Sequence, residues 1–478
     1  MGLRVADTTL SVKDAELRMP FHFGNVRMDD CPRILVEATV EFPGGTEGGR
    51  GMGAIIPMWF FKRPDMELDA GIDALLAAVE NAARLAEGMS RQQSVFEFWH
   101  ALYARQADWG AETSQPALLT QYGTSLLEQA LVDAHCRFES TSFPEAVREN
   151  SLGIDLGAVH PELDGTEPRA YLPERPLRNI AIRHTVGLAD PLTEDDIPPD
   201  ERLDDGHPQS LAACIERQGI DHFKIKIGAD VESDRDRLRQ IADLIEEYHD
   251  EYVFSLDANE QYGTVSAFRE QWETLTADAR LAEFFDRLLY VEQPLDREHS
   301  FGEDVRAELA GWDGAPPVII DESDDALDSL PRALDCGYAG TSHKNCKGVF
   351  KGIANRCLIE KRRESGDREY LMSAEDLTTI GPVEIQQDLA VVATLGIDNV
   401  ERNGHHYLRG LSMYGDRLQE DVLDAHPDLY RRHGDGYPTL DVTDGSVRIG
   451  SVVDAPFGYA VDIDATEFTP LEEWRSRR

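Results

Sequence analysis

Three acidic residues each close an apolar run of strand length: Asp257 follows Val253-Phe254-Ser255-Leu256, Glu292 follows Leu288-Leu289-Tyr290-Val291, and Asp321 follows Val318-Ile319-Ile320. In a closed α/β barrel the C-terminal strand ends open onto one face, so acids at three successive strand ends converge there. Three hard oxygen ligands that leave room for water and substrate suit Mg²⁺. One such acid alone is as well explained by a helix cap or a turn. Three in consecutive strands, flanked on both sides by lysine-bearing strands, favour a metal site.

The lysines carry a second signal. The chain has eight, against 47 lysines and arginines together, and five of the eight are Lys224, Lys226, Lys344, Lys347 and Lys351. Lysine, unlike arginine, can lose its proton near neutral pH when burial or a neighbouring cation depresses its pKa. That is what a general base requires. In Phe223-Lys224-Ile225-Lys226-Ile227 the alternation turns the apolar side chains toward surrounding helices and both lysines into the barrel. Lys224 and a divalent ion nearby are expected to favour a neutral, basic Lys226. Lys344 is the catalytic candidate at the sixth strand, and Lys224 also neutralises the acids.

The elements that must hold these groups alternate strand and helix from about residue 179 onward. Ile180-Ala181-Ile182 reads as strand one, the lysine strand as two, and the acid-tipped strands as three to five. Lys344 closes six, Tyr370-Leu371-Met372 builds seven, and Asn399-Val400-Glu401 ends eight. Before them, residues 3–12 and 33–42 alternate like antiparallel strands, and residues 72–86, 94–105 and 125–136 have helical periodicity. After them, strand character returns at 447–449 and 459–462, where it would rejoin the first domain. The connections 140–178 and 189–209 are long, and the second follows strand one on the catalytic face, where it could cover the site.

With 478 residues the chain has room for a barrel and a second domain. It shows no long apolar span, secretory leader or lipidation motif, and a cytoplasmic protein is expected. Six cysteines without a CxxC pair indicate neither a disulfide framework nor a zinc knuckle. A formal net charge of −43 argues against nucleic acid and anionic membrane as partners. Dispersed acidic clusters such as Glu194-Asp195-Asp196 are the surface expected of a protein working in concentrated salt.

Taken in order, Lys224-x-Lys226, Asp257-x-Asn259, Glu292-Gln293-Pro294, Asp321-Glu322-Ser323 and Lys344-x-x-Lys347-Gly348 resemble the enolase superfamily, in its mandelate racemase/muconate lactonizing enzyme-like group and with the lysine pattern of the latter. The resemblance implies a modified (β/α)₇β TIM-type barrel with an α+β capping domain formed from both chain ends. Residues 1–138 would be the N-terminal cap, 139–415 the barrel with long insertions, and 416–478 a C-terminal segment returning to the cap. It implies Mg²⁺ on Asp257, Glu292 and Asp321, with Mn²⁺ able to substitute, and proton abstraction beside the carboxylate of a small-molecule substrate through an enolate. Lys226 and Lys344 would face the two sides of the α-carbon, and Lys224 would orient the substrate carboxylate or lower the pKa of Lys226.

Weaker substrate-binding candidates are His22, Asn25, Arg27 and Trp59 from the cap, with Asn259, Lys347 and Glu401 from the barrel. For the aromatic run at Trp59 a place in the cap core is an equal expectation. Strand seven leads into Ser373-Ala374-Glu375-Asp376 instead of an Asp–His dyad, and strand eight into Glu401-Arg402-Asn403-Gly404-His405-His406. These departures bear on the substrate. The leading expectation is a racemase, epimerase or cycloisomerase, in a homo-oligomer. An acid-sugar dehydratase using the same site is the alternative, and a Schiff-base aldolase or a non-catalytic metal-binding barrel are remote ones.

Overall fold

The computed structural model describes residues 2–23, 26–61, 67–364, 366 and 368–478. Five strands open the chain: β1 (Arg4–Lys13), β2 (Glu16–Phe23), β3 (Val26–Asp30), β4 (Arg33–Phe42) and β5 (Gly45–Ala54). β4 lies between β1 and β5 in an antiparallel sheet, while β2 and β3 form a separate hairpin. Three long helices follow, Leu68–Gly88, Val95–Thr113 and Ala117–Glu139.

The last of these helices lies unusually close to β5, and the sequence of that strand explains why. Gly49, Gly51 and Gly53 share one face of the strand. A Cβ on them would meet the Ala130 carbonyl oxygen at 2.0 Å, the Leu126 carbonyl oxygen at 2.1 Å and the Tyr122 hydroxyl at 2.5 Å. The glycines thus set the depth at which this helix packs.

The second unit is a ring of parallel strands: β6 (Asn179–Val186), β7 (His222–Lys226), β8 (Val253–Asp257), β9 (Leu288–Glu292), β10 (Val318–Ile320), β11 (Gly340–His343), β12 (Leu371–Ala374) and β13 (Asn399–Glu401). Each pairs with its successor from β6 to β12, and β13 returns to pair with β6, so the sheet curls round on itself as the barrel expected from the sequence. Side-chain caps start several of the helices between strands, as Ser210, Asp230 and Thr264 do for Leu211–Gln218, Val231–Tyr248 and Val265–Thr276. No described helix is long and apolar enough to cross a membrane. All six cysteines are free thiols.

The tail does not run straight back to the cap as the sequence pattern suggested. After the hairpin of β14 (Tyr430–Arg432) and β15 (Pro438–Leu440), β16 (Ser446–Arg448) pairs antiparallel with β6. The reason lies in the register. β7 engages β6 only from Arg183 onward, which leaves the backbone at residues 179–181 open on that edge, and β16 satisfies it. Among the described residues of the tail, only β17 (Thr469–Pro470) rejoins the first sheet, beside β1.

Both long connections are packed. His160, in the first, bonds Asn355 on the barrel helix Val349–Arg363 at 2.8 Å. The second is tied to the cap hairpin: Arg18 of β2 donates to Asp205 at 2.7 and 3.0 Å and to the carbonyls of Pro208 and His406 at 3.3 and 2.9 Å.

Candidate active site

The strand pattern delivers its charged ends to one place. In β7 the buried Phe223 and Ile225 face outward, and Lys224 reaches the middle of the barrel mouth. Its ammonium lies 3.0 Å from Asp257, 3.0 Å from Glu292, 2.7 Å from Glu375 and 2.9 Å from Glu401. Burial disfavours the Lys224 ammonium, but these four acids outweigh it and hold the pKa well above the ordinary lysine value. Lys224 is therefore the counter-charge of an acidic cluster. Its three N–H donors are taken up by carboxylates, which leaves it none for a substrate.

Lys226 stands nearer the opening, with 22% of its side chain exposed, and bonds Asp257 at 2.5 Å and Asn259 at 2.6 Å. The sequence led us to expect a neutral amine. In the structure burial and the Lys224 charge pull in that direction, but Asp257, with Glu401 behind it, outweighs them, so the pKa stands above the ordinary value. From the opposite side of the ring, Lys344 bonds both oxygens of Asp321 and one of Glu375, each at 2.7 Å, and Lys347 bonds Asp321 at 2.7 Å. Burial pushes the Asp321 carboxyl up, but Lys344 and Lys347 prevail and hold it below the usual carboxylate range.

The three acids chosen from the sequence do meet at this mouth, linked through Lys224 and Lys344. The tightest carboxylate group among the described residues is nevertheless Glu292, Asp321 and Glu375, each offering an oxygen within 4.8 Å of the others. Glu375 was noticed in the sequence only as a departure after strand seven. It carried the same signal as the other three, an acid just past a strand end. Here it is buried, bridged by Lys224 and Lys344, and 4.0 Å from the Arg183 guanidinium. Burial raises its pKa, yet those cations keep it well below the usual value. Glu292, with one lysine partner and Glu375 beside it, goes the other way: burial and that neighbour push its pKa well up.

The donor set fits a hard divalent cation. All members are carboxylates, and Glu292 Oε2 and Glu375 Oε1 are buried without a hydrogen-bond partner among the described residues. The loops that hold the acids are braced. Gln293 accepts from the backbone N–H of Asp321 at 2.7 Å and of Ser323 at 3.2 Å, which places the Asp321 turn. Asn259 and Gln293, just past two of the acid-tipped strands, have φ of 40° and 37°, a left-handed backbone that non-glycine residues adopt at a cost. Glu322 beside Asp321 is pushed up to about 7, by burial first and Asp321 second.

The weaker candidates divide. Glu401 is buried, accepting from Thr185, Asn403 and Lys224, so it is part of the cluster. Trp59 is buried where the cap meets the barrel, its ring face 4.9 Å from the Lys344 ammonium, so it is both cap core and site wall. Lys347 also donates to the carbonyls of Asp321 and Ser342 at 2.8 and 2.9 Å, which makes it a brace for the turn. Asn259 spans Lys226 and Glu322, the latter at 3.3 Å. Arg27 is exposed and paired with Asp29 two residues on, because the β3 alternation turns it outward with that acid. His22 lies opposite it in the hairpin register, and Asn25 falls outside the described residues.

The cap and barrel are joined at this site by one further buried acid. Glu128 of the helix Ala117–Glu139 accepts the backbone N–H groups of Val349 and Phe350 at 3.0 and 2.6 Å, capping the barrel helix that follows Lys347. The sequence showed this acid in a helix but gave no sign of its partner.

Lysines on facing strands thus surround a carboxylate cluster at the C-terminal mouth of a capped barrel, the face on which barrel enzymes carry their sites. Residues 209–346 match the family model described as enolase C-terminal domain-like. The chain as a whole has the fold of mandelate racemase/muconate lactonizing enzyme-like proteins. An N-succinyl Arg/Lys racemase from Bacillus cereus superposes with a TM-score of 0.59 at 14% identity, over 98% of this chain and 97% of that one. A muconate lactonizing enzyme from Pseudomonas fluorescens, complexed with muconolactone, gives 0.58 at 15% identity over 98% of both chains. An enolase from Bradyrhizobium, complexed with magnesium and mandelic acid, gives 0.56 at 16% identity over 96% of both. No curated protein matches the chain.

Proposed function

We propose that this chain is an enzyme that removes the α-proton of a small carboxylate substrate with the help of Mg²⁺, giving racemisation, epimerisation or cycloisomerisation. One observation carries the reading: Lys226 and Lys344 project from the second and sixth of eight parallel strands, on facing sides of the ring, and end on different acids of one buried cluster. Two amines facing each other across a carboxylate-lined mouth can reach the two faces of an α-carbon held between them. The neighbour that binds magnesium and mandelic acid and the racemase among the structural relatives support the same reaction type.

Asp257, Glu292 and Asp321 would hold the ion, with Glu375 beside them. The ion, Mn²⁺ as well as Mg²⁺, supplies positive charge against which a carboxylate can take on a second negative charge. The chain's own groups do the rest. Lys226 must be neutral to accept a proton, and the group that chiefly opposes this is Asp257; were that carboxylate held as a metal ligand, its hold on the Lys226 proton would weaken and Lys226 would be the base. Lys344, an ammonium between Asp321 and Glu375, holds a proton ready on the opposite face. Lys224 keeps the acid cluster compact, and Trp59 closes the cap side over Lys344.

The test is solvent-deuterium uptake at the α-position across a library of carboxylates, with the products identified. Uptake should vanish on exhaustive chelation and return with Mg²⁺ or Mn²⁺, and Asp257→Ala, Glu292→Ala and Asp321→Ala should each abolish it. A dehydrated product would assign the acid-sugar dehydratase outcome instead. Full uptake and full metal binding in all three variants would refute the assignment.

A further inference from the structure

Behind the barrel wall lies a second cluster of a different chemical kind. In β6 the alternation that turns Arg183 and Thr185 inward, onto Ser373 and Glu401, sends His184 outward. It meets Cys214 of the helix Leu211–Gln218 and His406 of the short helix Gly404–Tyr407, which follows β13. All three side chains are buried, and each presents a ligand-type atom within 4.8 Å of the other two. Cys214 Sγ is 3.9 Å from His406 Nδ1, and the His184 and His406 rings meet edge to face with centroids 5.0 Å apart.

A satisfied core would need no ion here, but one of these three side chains is not satisfied. A weak thiol–imidazole hydrogen bond accounts for the Cys214–His406 contact and leaves His184 Nδ1, buried, with no hydrogen-bond partner among the described residues. Both ring nitrogens of the adjacent His405 are in the same condition. Burial keeps the imidazoles neutral, as ligation requires, with His184 pushed down to about 4. Sulfur and nitrogen bound to zinc at about 2.3 and 2.0 Å stand roughly 3.5 to 3.8 Å apart across tetrahedral to trigonal angles. The Cys214–His406 separation is close to that.

We propose that His184, Cys214 and His406 form a binding site for a soft divalent transition-metal ion of the Zn²⁺ kind, separate from the carboxylate cluster and tying β6, the first barrel helix and the segment after Glu401 together. Thiolate and imidazole select such an ion over Mg²⁺, which the carboxylate mouth suits. Binding exchanges the Cys214 S–H proton for an S–Zn bond, and the proton goes to solvent. Burial pushes that thiol up to about 12, so one proton should be released per ion at neutral pH.

The experiment uses the full-length chain, stripped of metal and then held in excess Mg²⁺. Added Zn²⁺ should bind one per chain with release of one proton, and Co²⁺ in its place should give a thiolate-to-cobalt charge-transfer band in the near ultraviolet. Cys214→Ser should lose the band, while Cys357→Ser, which alters a buried thiol elsewhere, and Asp321→Asn, at the carboxylate cluster, should keep it. Should Cys214→Ser fail to fold, His184→Gln keeps the thiol and should weaken Zn²⁺ binding by about 100-fold or more. Absence of the band in the unaltered chain, its persistence in Cys214→Ser, or undiminished affinity in His184→Gln overturns the proposal. Because Asp321→Asn reads the two sites apart, failure here is distinct from failure of the proposed activity.

Discussion

At the scale of single residues, the four lysines of the mouth divide the work in a way that substitution can separate. Lys224 compensates four buried acids, and removing one partner of a buried ion network leaves uncompensated charge, which costs on the order of 3–5 kcal/mol. Lys224→Met should therefore lower stability by about that much in denaturant titration. Lys226 is partly exposed and has one acid partner, so Lys226→Arg should leave stability nearly unchanged and act on chemistry instead. A guanidinium cannot give up its proton at working pH. With an enantiomeric substrate pair, Lys226→Arg should lose α-deuterium exchange from one enantiomer and Lys344→Arg from the other. Exchange from both enantiomers in Lys226→Arg would return that lysine to an electrostatic role. The scarcity of lysine in the sequence pointed to these side chains directly. Glu375 was not singled out in the same way, because what makes it central is the convergence of Lys224, Lys344 and Arg183 from three other strands, which no local pattern displays.

At the scale of elements, the acid-tipped strands were readable because a parallel strand writes its buried face as a short apolar run and its functional end as the polar residue after it. The tail was less readable, because a short strand such as β16 is defined by an edge that only the register of β6 leaves open. His426 shows how that tail is fastened. Its Nδ1 lies 3.0 Å from the Ser451 hydroxyl, and its Nε2 accepts the Ala460 backbone N–H at 3.3 Å. Accepting at Nε2 requires the neutral ring, and burial pushes the pKa down to about 4. The unfolded chain takes up this proton near pH 6.5, so between about 6.5 and 4 it binds more protons than the folded one. Stability from this group is thus complete above that window and lost as pH falls through it. His426→Gln, which can still donate and accept, should flatten the acid limb of a melting-temperature profile over that range. An unchanged acid limb would show that the fastening is not pH-sensitive.

At the scale of the whole molecule, the mouth is close to charge-balanced and the surface is not. Inside, Lys224, Lys226, Lys344, Lys347 and Arg183 face Asp257, Glu292, Asp321, Glu375 and Glu401. Outside, arginines are already paired, as Arg280 is with Asp243 and Glu246 and Arg432 with Glu420, yet 90 acids against 47 basic residues leave a large remainder. Salt acts on both populations. It weakens exposed ion pairs, each contributing about 0–1 kcal/mol, and it relieves repulsion among the surplus carboxylates, which every acid on the surface feels. With a formal charge of −43 the second effect should dominate. The melting temperature should therefore climb by several degrees from low to molar KCl as the screening length falls from about 30 Å at 0.01 M to about 3 Å at 1 M. Tetramethylammonium chloride should act nearly as well, since screening depends on ionic strength and not on a cation seated in a site. A flat or falling melting temperature in KCl would leave the acidic surface without a stability role, and a rise in KCl alone would point to specific cation binding in place of screening.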